Sequence, residues 1–373
     1  MIALFIAGLA LLIWLGLLAS GFWRTDINDR RAAKAVPTVW PSVVAVVPAR
    51  NEADVIARAI GSLARQDYPG NFSILLVDDN SDDDTAAIAR GLGSERVNIL
   101  PGTPLAAGWT GKLWAVSQGV AAAGAPDYLW LTDADIEHAP DTLRSLVGIA
   151  QGGDRRLVSF MAKLRCDTLA ERALIPAFVF FFQMLYPFAR VNRPHGIGGA
   201  AGGCILVRRD ALEAAGGIAA IRNALIDDCT LGALIKRQGP IWLGLTDRSG
   251  SIRPYDTVSP IAAMIARSAY AQLDYSPLKL LGTILGLALV YWAPPLLALL
   301  ASGWARWLGF AAWLLMAASF QPMLRFYRRS PLWGLALPAI AAFYAGCTVL
   351  SAWQHRNGRG GMWKGRVQAA VGR

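Results

Sequence analysis

Apolar positions are concentrated at the two ends of the chain, whereas the middle alternates short apolar runs with polar segments. Residues 2–23 carry no charged side chain and are long enough to span a bilayer. Near the other end, three stretches lack Asp, Glu, Lys and Arg, at 280–302, 307–324 and 331–353. The pattern predicts an N-terminal transmembrane helix and a C-terminal group of transmembrane or re-entrant helices. Pro294 and Pro295 favour a broken helix in the first of these stretches.

The middle of the chain combines β-branched runs with segments of helical period. The run at 43–47 is followed by apolar residues on one helical face, at Val55, Ile56, Ala59, Ile60 and Leu63. Further strands are predicted at 72–77, 97–100, 128–131 and 205–207. Because strands joined by helices form parallel sheets with right-handed crossovers, the sequence predicts an α/β domain over 41–256 with a mostly parallel sheet.

One further apolar segment, 174–189, is short for a membrane span and contains Pro176 and Pro187. It is either an interfacial segment that guides a lipid acceptor or a buried core helix.

Basic residues flank the apolar segments. The net charge is +10, and the first apolar stretch is followed by Arg24, Arg30, Arg31 and Lys34. By the positive-inside tendency, this places the next domain in the cytoplasm. Because such residues would meet anionic lipid headgroups, we expect a membrane-embedded protein with no nucleic-acid partner. The four cysteines form no close pair, which fits a reducing cytoplasmic face.

Three full C-terminal spans would place the basic tail, 355–373, on the opposite side from that domain. We therefore expect one stretch to be re-entrant or interfacial, and the tail to be cytoplasmic.

Polar residues stand where three of the predicted strands end, which is where parallel sheets bind ligands. They are Arg50-Asn51-Glu52, Asp78-Asp79, and Asp133 with Asp135. Carboxylates two residues apart after a buried strand can share a hard divalent cation that takes further ligands from water and a substrate's phosphates. This favours chemistry on a metal-bound diphosphate, and the alternative is a pair of solvated turn aspartates. No GxGxxG follows the first strand, and GWTGK from Gly108 is too short for a P-loop.

Four motifs, taken in order, resemble the family 2 glycosyltransferases of the GT-A fold. They are VVPARNE from Val46, LLVDDNSDDDT from Leu75, the Asp133 motif, and IDDCTLG from Ile226, and the resemblance covers roughly residues 41–273. It implies a Rossmann-like, mostly parallel α/β domain. Three more segments are similar to a membrane-bound bacterial branch, the hopene-associated glycosyltransferases: GWTGKLWA from Gly108, GGAAGGCILVRRDAL from Gly198 and GMWKGR from Gly361.

The resemblance implies donor-site roles for matching positions. Pro48, Arg50 and Glu52 would line the nucleotide pocket, and Asp79 would accept a hydrogen bond from uracil. Lys112 would approach the diphosphate.

The resemblance also implies metal and catalytic positions. Asp133 would hold the ribose or share the metal, and Asp135 would bind Mg2+ or Mn2+. Asp228 stands where the family has its catalytic base, and Asp227 stands where a Glu is more usual. The alternative for this acidic pair is an ordinary helix N-terminus.

Two further segments are expected to contribute. The loop 196–204 is rich in glycine, and it is either a wall between donor sugar and acceptor or a flexible loop. Arg267 occupies the place of the Arg in the QxxRW motif of processive relatives, but Met264 and Ser268 replace its Gln and Trp. That departure argues against a polysaccharide synthase and leaves Arg267 as either a diphosphate contact or an interfacial basic residue.

Together these features predict an inverting, metal-dependent glycosyltransferase of the bacterial inner membrane, multi-pass, with its catalytic domain in the cytoplasm. It would transfer one sugar from a UDP-sugar to a membrane lipid such as a hopanoid or related polyprenoid. The alternatives are a polysaccharide synthase, a polyprenyl-phosphate glycosyltransferase and a non-catalytic membrane scaffold. The expected parts are a transmembrane helix, the transferase domain, an interfacial segment, further membrane helices and a basic tail, at 1–24, 41–256, 257–277, 278–354 and 355–373.

Overall fold

The computed structural model describes residues 1–363 and 366–367, and the chain divides into two compact units. We call them the helical unit and the α/β unit. The helical unit comprises Met1–Thr25, Cys166–Pro187 and Tyr255–Gly360. The α/β unit comprises Asp26–Arg165, Phe188–Pro254 and the described residues from Gly361 onward.

The α/β unit is built on one sheet of eight strands, in the order β3-β2-β1-β4-β7-β6-β8-β5. The strands are β1 (Val43–Ala49), β2 (Phe72–Asp78), β3 (Val97–Pro101), β4 (Tyr128–Leu131), β5 (Ile136–His138), β6 (Leu157–Lys163), β7 (Ile205–Arg208) and β8 (Ile241–Ser251). The pairings β3–β2, β2–β1, β1–β4 and β6–β8 are parallel. This confirms the predicted mostly parallel sheet. The antiparallel insertion of β7 between β4 and β6, and of β5 at the edge, was not predicted.

Seven helices belong to this unit, numbered here along the whole chain. They are α2 (Ala53–Ala64), α3 (Thr85–Gly91), α4 (Gly111–Ala122), α5 (Thr142–Gly152), α7 (Phe188–Val191), α8 (Arg209–Ala214) and α9 (Asp227–Lys236), with a 3-10 turn at Ile218–Ile221.

α2 packs on the sheet through its apolar face. All five apolar positions expected on its inner face are buried. Three of them, Ile56, Ile60 and Leu63, join a core that includes Trp130 and Phe160, both fully buried. On the other side, Gly119 lets α4 approach closely, because a Cβ there would lie 2.4 Å from a methyl group of Val46. The sheet thus holds the ends of β1, β2 and β4 in a fixed frame.

The helical unit contains α1 (Ile2–Ser20), α6 (Leu169–Leu185), α10 (Val258–Ser268), α11 (Pro277–Leu287), α12 (Ala293–Leu300), α13 (Gly303–Phe326) and α14 (Leu337–Arg356). Among the described residues, four helical segments are long and apolar enough to cross a membrane: Ile2–Ser20, Leu169–Val191, Pro277–Leu300 and Gly303–Phe326.

The expected stretch at 331–353 differs from these four. It begins with a 3-10 turn, Pro331–Gly334, and is helical only from Leu337. The 174–189 segment was expected to be either interfacial or a buried core helix. It forms most of α6 and lies within Leu169–Val191, one of the four membrane-length segments. Its start is fixed by a capping box in which Thr168 and Glu171 bond each other's backbone N–H groups.

The helical segment Pro277–Leu300 has no gap, but it changes its form just before Pro294 and Pro295, where the sequence suggested a break. A π-helical segment, Ala288–Trp292, joins α11 to α12, and the prolines lie in the first turn of α12, where no intrahelical donor is lost. Trp14 donates its indole N–H to the carbonyl of Val290 at 2.8 Å, so a side chain of α1 partners a carbonyl of the irregular turn. Whether this stretch re-enters the membrane stays a prediction.

The C-terminal residues form a short antiparallel pair, β9 (Met362–Trp363) with β10 (Arg366–Val367). Part of the predicted basic tail, residues 364–365 and 368–373, lies outside the described residues.

Candidate active site

The loops after β1 and β2 are locked together by hydrogen bonds. Arg50 donates from Nη1 to the carbonyls of Asp79, at 2.6 Å, and Asn80, at 2.7 Å. Asn51 and Asn80 both adopt positive φ, 51° and 53°, and Asn51 accepts from the backbone N–H of Asp82 at 2.8 Å. Asparagine tolerates this left-handed conformation better than most residues. The predicted nucleotide-pocket segment is therefore a preformed double loop.

Arg50 and Asp79 are placed together by this lock. Asp79 is fully buried at the end of β2, and its backbone N–H bonds the carbonyl of Ala49 at 2.8 Å. The Nε of Arg50 is buried and has no hydrogen-bond partner in the part of the chain that the structure describes. One guanidinium donor of Arg50 is thus left without an acceptor beside the predicted pocket.

A second group of charged side chains surrounds Lys112, the second residue of α4. Its ammonium lies 2.8 Å from Oδ1 of Asp133 and 3.0 Å from Oδ2 of Asp227. Burial alone would lower the pKa of Lys112, but these carboxylates outweigh burial and raise that pKa, so the ammonium stays charged. Burial raises the pKa of Asp133, against the effect of Lys112. Lys112 therefore joins the end of β4 to the start of α9.

Asp228 lies beside this group, in the first turn of α9. Its Oδ2 accepts from the backbone N–H of Gly202 at 2.9 Å, and its Oδ1 accepts from that of Cys229 at 2.7 Å. Burial, with the neighbouring charge of Asp227, raises the pKa of Asp228 to about 6. The carboxylate is therefore ionised at neutral pH and basic enough to accept a proton.

One cleft is lined by some of the predicted site residues. It holds about 380 Å³ of empty space, partly open to solvent, and its lining includes Pro48, Lys112, Asp133, Gly202 and Asp228. Arg50, Glu52, Asp79 and Asp135 are not among its lining residues. Arg267 lies on α10 of the helical unit, and its role stays a prediction.

The glycine-rich loop packs against α9 at van der Waals distance. A Cβ on Gly198 would lie 2.2 Å from the Cα of Ala233, and one on Gly232 would lie 2.5 Å from the carbonyl carbon of Gly199. Real Cβ atoms do not approach that closely, so both positions need glycine. The loop is therefore held against the helix that carries Asp228, which favours a wall of the site over a flexible connection.

Arg253, just beyond β8, is a site residue that the sequence motifs did not predict. Its Nε lies 2.7 Å from Oδ2 of Asp135, and its Nη2 lies 2.8 and 2.6 Å from the two oxygens of Glu52. The predicted metal ligand is thus in an ion pair. No spacing pattern signals this contact, because Arg253 follows Asp135 by 118 residues.

A buried hydrogen-bond chain was missed as well. His138 contacts Thr132 through Nε2 and Ser249 through Nδ1, both at 2.9 Å, and Thr132 donates its hydroxyl to the carbonyl of Gly203 at 2.8 Å. Because the hydroxyl of Thr132 is committed to Gly203, Nε2 of His138 must be the donor to it. Burial lowers the pKa of His138 to about 3, so the ring is neutral. The three histidines are scattered along the sequence, and this hydrogen-bond chain forms only through the fold.

The donor set at the strand ends fits a divalent ion shared with a substrate better than a protein-only metal cage. Asp133 and Asp135 offer carboxylate oxygens, the ligand type that Mg2+ and Mn2+ prefer. Within residues 1–363 and 366–367, no three His, Cys, Asp or Glu side chains are grouped to hold a metal. Mg2+ characteristically takes one or two carboxylates and completes its shell with water and phosphate.

The mixed sheet with polar groups at its strand ends is the Rossmann-like GT-A arrangement of glycosyltransferases. The family model "Glycosyl transferase family 2" matches residues 44–216, so this part of the chain is similar to the family 2 glycosyltransferases.

Two curated relatives are similar in sequence. A beta-monoglucosyldiacylglycerol synthase of Nostoc sp. is 29% identical over 223 residues, 58% of this chain and 45% of that protein. A 4,4'-diaponeurosporenoate glycosyltransferase of Staphylococcus aureus is 31% identical over 116 residues, 31% of this chain and 30% of that protein. The chain thus spans less than half the length of these relatives.

A solved structure supports the fold. The mannosyltransferase of Pyrobaculum calidifontis, in complex with GDP-Man and Mn2+, aligns with a TM-score of 0.56 and 19% identity. The alignment covers 94% of this chain and 99% of that one, so the similarity extends beyond the transferase domain.

Proposed function

We propose that the protein is an inverting, metal-dependent membrane glycosyltransferase that moves one sugar from a UDP-sugar to a membrane lipid. Asp228 carries the proposal. It is half-buried in a cleft beside Lys112 and Asp133, held by two backbone N–H groups, and its pKa is raised to about 6. An acid that only caps a helix needs neither a place in a cleft nor a raised pKa. A general base needs a fixed orientation and a pKa near the working pH.

The chemistry follows from the two sides of this cleft. The acceptor is an alcohol, a poor nucleophile until a base takes its proton, and Asp228 is the base on the acceptor side. On the donor side the diphosphate leaves with growing negative charge, and the ammonium of Lys112 stabilises it. One displacement from the face opposite the leaving group inverts the anomeric carbon.

A divalent cation is needed because the site is acidic. The carboxylates of Glu52, Asp133, Asp135, Asp227 and Asp228 outnumber the cations Lys112 and Arg253. A diphosphate entering this field would meet net repulsion. When bound at Asp135 and Asp133, Mg2+ or Mn2+ supplies the positive charge that neutralises the diphosphate and its leaving oxygen. Mn2+ in the mannosyltransferase complex supports this choice.

The acceptor and the location are proposed from the apolar helices and the relatives. The proposed parts are a transmembrane helix at 1–24, a cytoplasmic transferase domain at 41–256, an interfacial segment at 257–277 carrying Arg267, membrane helices within 278–354, and a basic tail. The four membrane-length segments support a multi-pass protein of the bacterial inner membrane. Both curated relatives are named for lipid products or acceptors. A hopanoid or related polyprenoid is the acceptor we propose.

Sugar transfer by the purified full chain in lipid tests the proposal, using a panel of UDP-sugars and GDP-Man, a bacterial lipid extract, and Mn2+, Mg2+ or EDTA. Asp228→Asn should abolish transfer while retaining Mn2+-dependent UDP binding. Asp210→Asn is the matched control, because Asp210 pairs with Arg208 on an exposed surface. Proton NMR of the product should show inversion of the donor's anomeric configuration.

Other outcomes separate the alternatives. Repeated sugar addition to one product would favour a polysaccharide synthase, and activity only on a phosphorylated polyprenol would favour a polyprenyl-phosphate glycosyltransferase. Neither UDP binding nor transfer with any donor would favour a scaffold. Equal activity of Asp228→Asn and wild type would contradict the assignment of the base.

A further inference from the structure

Arg253, just beyond β8, joins two other parts of the acidic strand-end region. Its Nε bonds Asp135 after β4, and its Nη2 bonds both oxygens of Glu52, the residue that precedes α2. The backbone supports this placement, because Ile252 donates its N–H to the carbonyl of Asp135 at 2.9 Å. The side chains of Glu52 and Asp135 are only 9% and 18% exposed, against 31% for Arg253. Of the three side chains, that of Arg253 is the most exposed to solvent.

The two aspartates that follow β4, Asp133 and Asp135, form ion pairs with different cations. Lys112 contacts Asp133, and Arg253 contacts Asp135. A guanidinium does not lose its proton in proteins, so its charge leaves Asp135 only when the side chain moves. A divalent ion on Asp135 would lie close to this guanidinium in a partly buried region, where like charges repel more strongly than in water.

We infer that Arg253 is a resident counter-ion of Asp135 that a divalent cation and a nucleotide diphosphate displace together. Glu52 holds the guanidinium through both oxygens, so the side chain can leave Asp135 and keep a carboxylate partner. The arriving diphosphate offers the freed donors a second anion. The inference rests on the metal-dependent function proposed above. It adds that the two ligands bind cooperatively: the cation binds weakly alone and tightly when the nucleotide is present.

Mn2+ binding by the purified full chain in detergent tests this, with free Mn2+ followed by EPR in the absence and presence of UDP. Arg253→Gln removes the resident charge and should raise the nucleotide-free Mn2+ affinity about tenfold, with a smaller further gain from UDP than in wild type. Glu52→Gln should lower the nucleotide-free affinity, because Asp135 becomes the remaining carboxylate partner of the guanidinium.

The opposite signs of these two variants distinguish displacement from simple loss of structure, which would lower Mn2+ affinity in both. Arg144→Gln is the matched control. It removes an ion pair with Asp67 in the same unit, and should bind Mn2+ like wild type. Arg253→Lys retains the charge and should also bind Mn2+ no more tightly than wild type. Thermal unfolding of each variant establishes that it is folded.

Unchanged or lower Mn2+ affinity in Arg253→Gln overturns the inference. Absence of Mn2+ binding by wild type and all variants, even with UDP, overturns both the inference and the proposed metal dependence. If the opposite shifts are found but no sugar is transferred, the inference stands and the proposed activity fails.

Discussion

The backbone N–H of Gly202 donates to Oδ2 of Asp228 across 2.9 Å, and so joins the glycine-rich loop to the first turn of α9. This bond leaves the carboxylate with a fixed direction in the cleft. A Cβ added at Gly202 would lie 3.4 Å from both Oδ2 of Asp228 and Nζ of Lys112. The α-carbon of Gly202 therefore faces the gap between the proposed base and the proposed diphosphate contact.

Gly202→Ala should fold normally and lose activity. The added methyl would be in ordinary contact with two charged groups, and a small displacement of reacting groups can lower kcat by as much as about 100-fold. We expect a drop of about tenfold or more in kcat, with little change in the thermal midpoint. Gly91→Ala is the control, since nothing lies within 4 Å of a Cβ there. Equal kcat in Gly202→Ala and wild type would show that the gap is not used by the reacting groups.

The pH dependence of kcat/KM should show an acidic limb near pH 6. A base must be ionised to accept a proton, and the pKa of Asp228 is raised to about 6, so activity is retained above that pH and lost below it. Asp227→Asn removes a negative neighbour that helps to raise this pKa, so it should move the limb to lower pH. Initial rates at saturating metal between pH 4.5 and 8 locate the acidic limb in wild type and in Asp227→Asn. A limb that Asp227→Asn leaves unmoved would mean that another group titrates.

Much of the α/β unit could be predicted from local pattern. The strand expected at 72–77 is β2, Phe72–Asp78, and the five apolar residues of α2 are buried, because period and burial are coupled within one element. The direction of β7 could not be predicted, since strand polarity depends on a connection through α6 and the glycine-rich loop. Arg253 was missed for a similar reason: its partner Glu52 lies 201 residues away. Local motifs identify the carboxylates of the site but not the cations that neutralise them.

Lys112→Met should weaken both donor binding and folding. It leaves Asp133 and Asp227 without the ammonium that both contact, in a mostly buried place. Loss of one partner of a buried charge pair destabilises by about 3–5 kcal/mol, and these groups are partly exposed, so we expect about 2 kcal/mol. Chemical denaturation measures the free energy of unfolding, and titration with UDP and Mn2+ measures donor affinity.

Lys112→Met combined with Asp227→Asn is the companion variant for that prediction. Removing a carboxylate should restore part of the stability but none of the donor affinity, because the diphosphate still lacks its ammonium. Recovery of UDP affinity in the double variant would contradict a role of Lys112 at the diphosphate. Lys112→Arg keeps the charge and should lie between wild type and Lys112→Met in both measurements.

Thr132→Val tests whether the buried histidine chain positions the base. Thr132 accepts from His138 and donates to the carbonyl of Gly203, the residue after the one whose N–H holds Asp228. Valine has nearly the same shape but no hydroxyl, so it leaves a buried N–H and a buried carbonyl unpaired, which costs about 1–3 kcal/mol.

Because Gly203 is joined directly to Gly202, the unpaired carbonyl should loosen the loop that orients Asp228, while the donor contacts made by Lys112 and Asp133 stay in place. Thr132→Val should therefore lower kcat by about tenfold and leave the KM for the UDP-sugar nearly unchanged. Thr132→Ser keeps the hydroxyl and should restore most of kcat, although it loses a methyl group from the cleft lining. If serine is as inactive as valine, the methyl group and not the hydrogen bond positions the site; if both raise KM rather than lower kcat, the chain supports the donor pocket instead of the base.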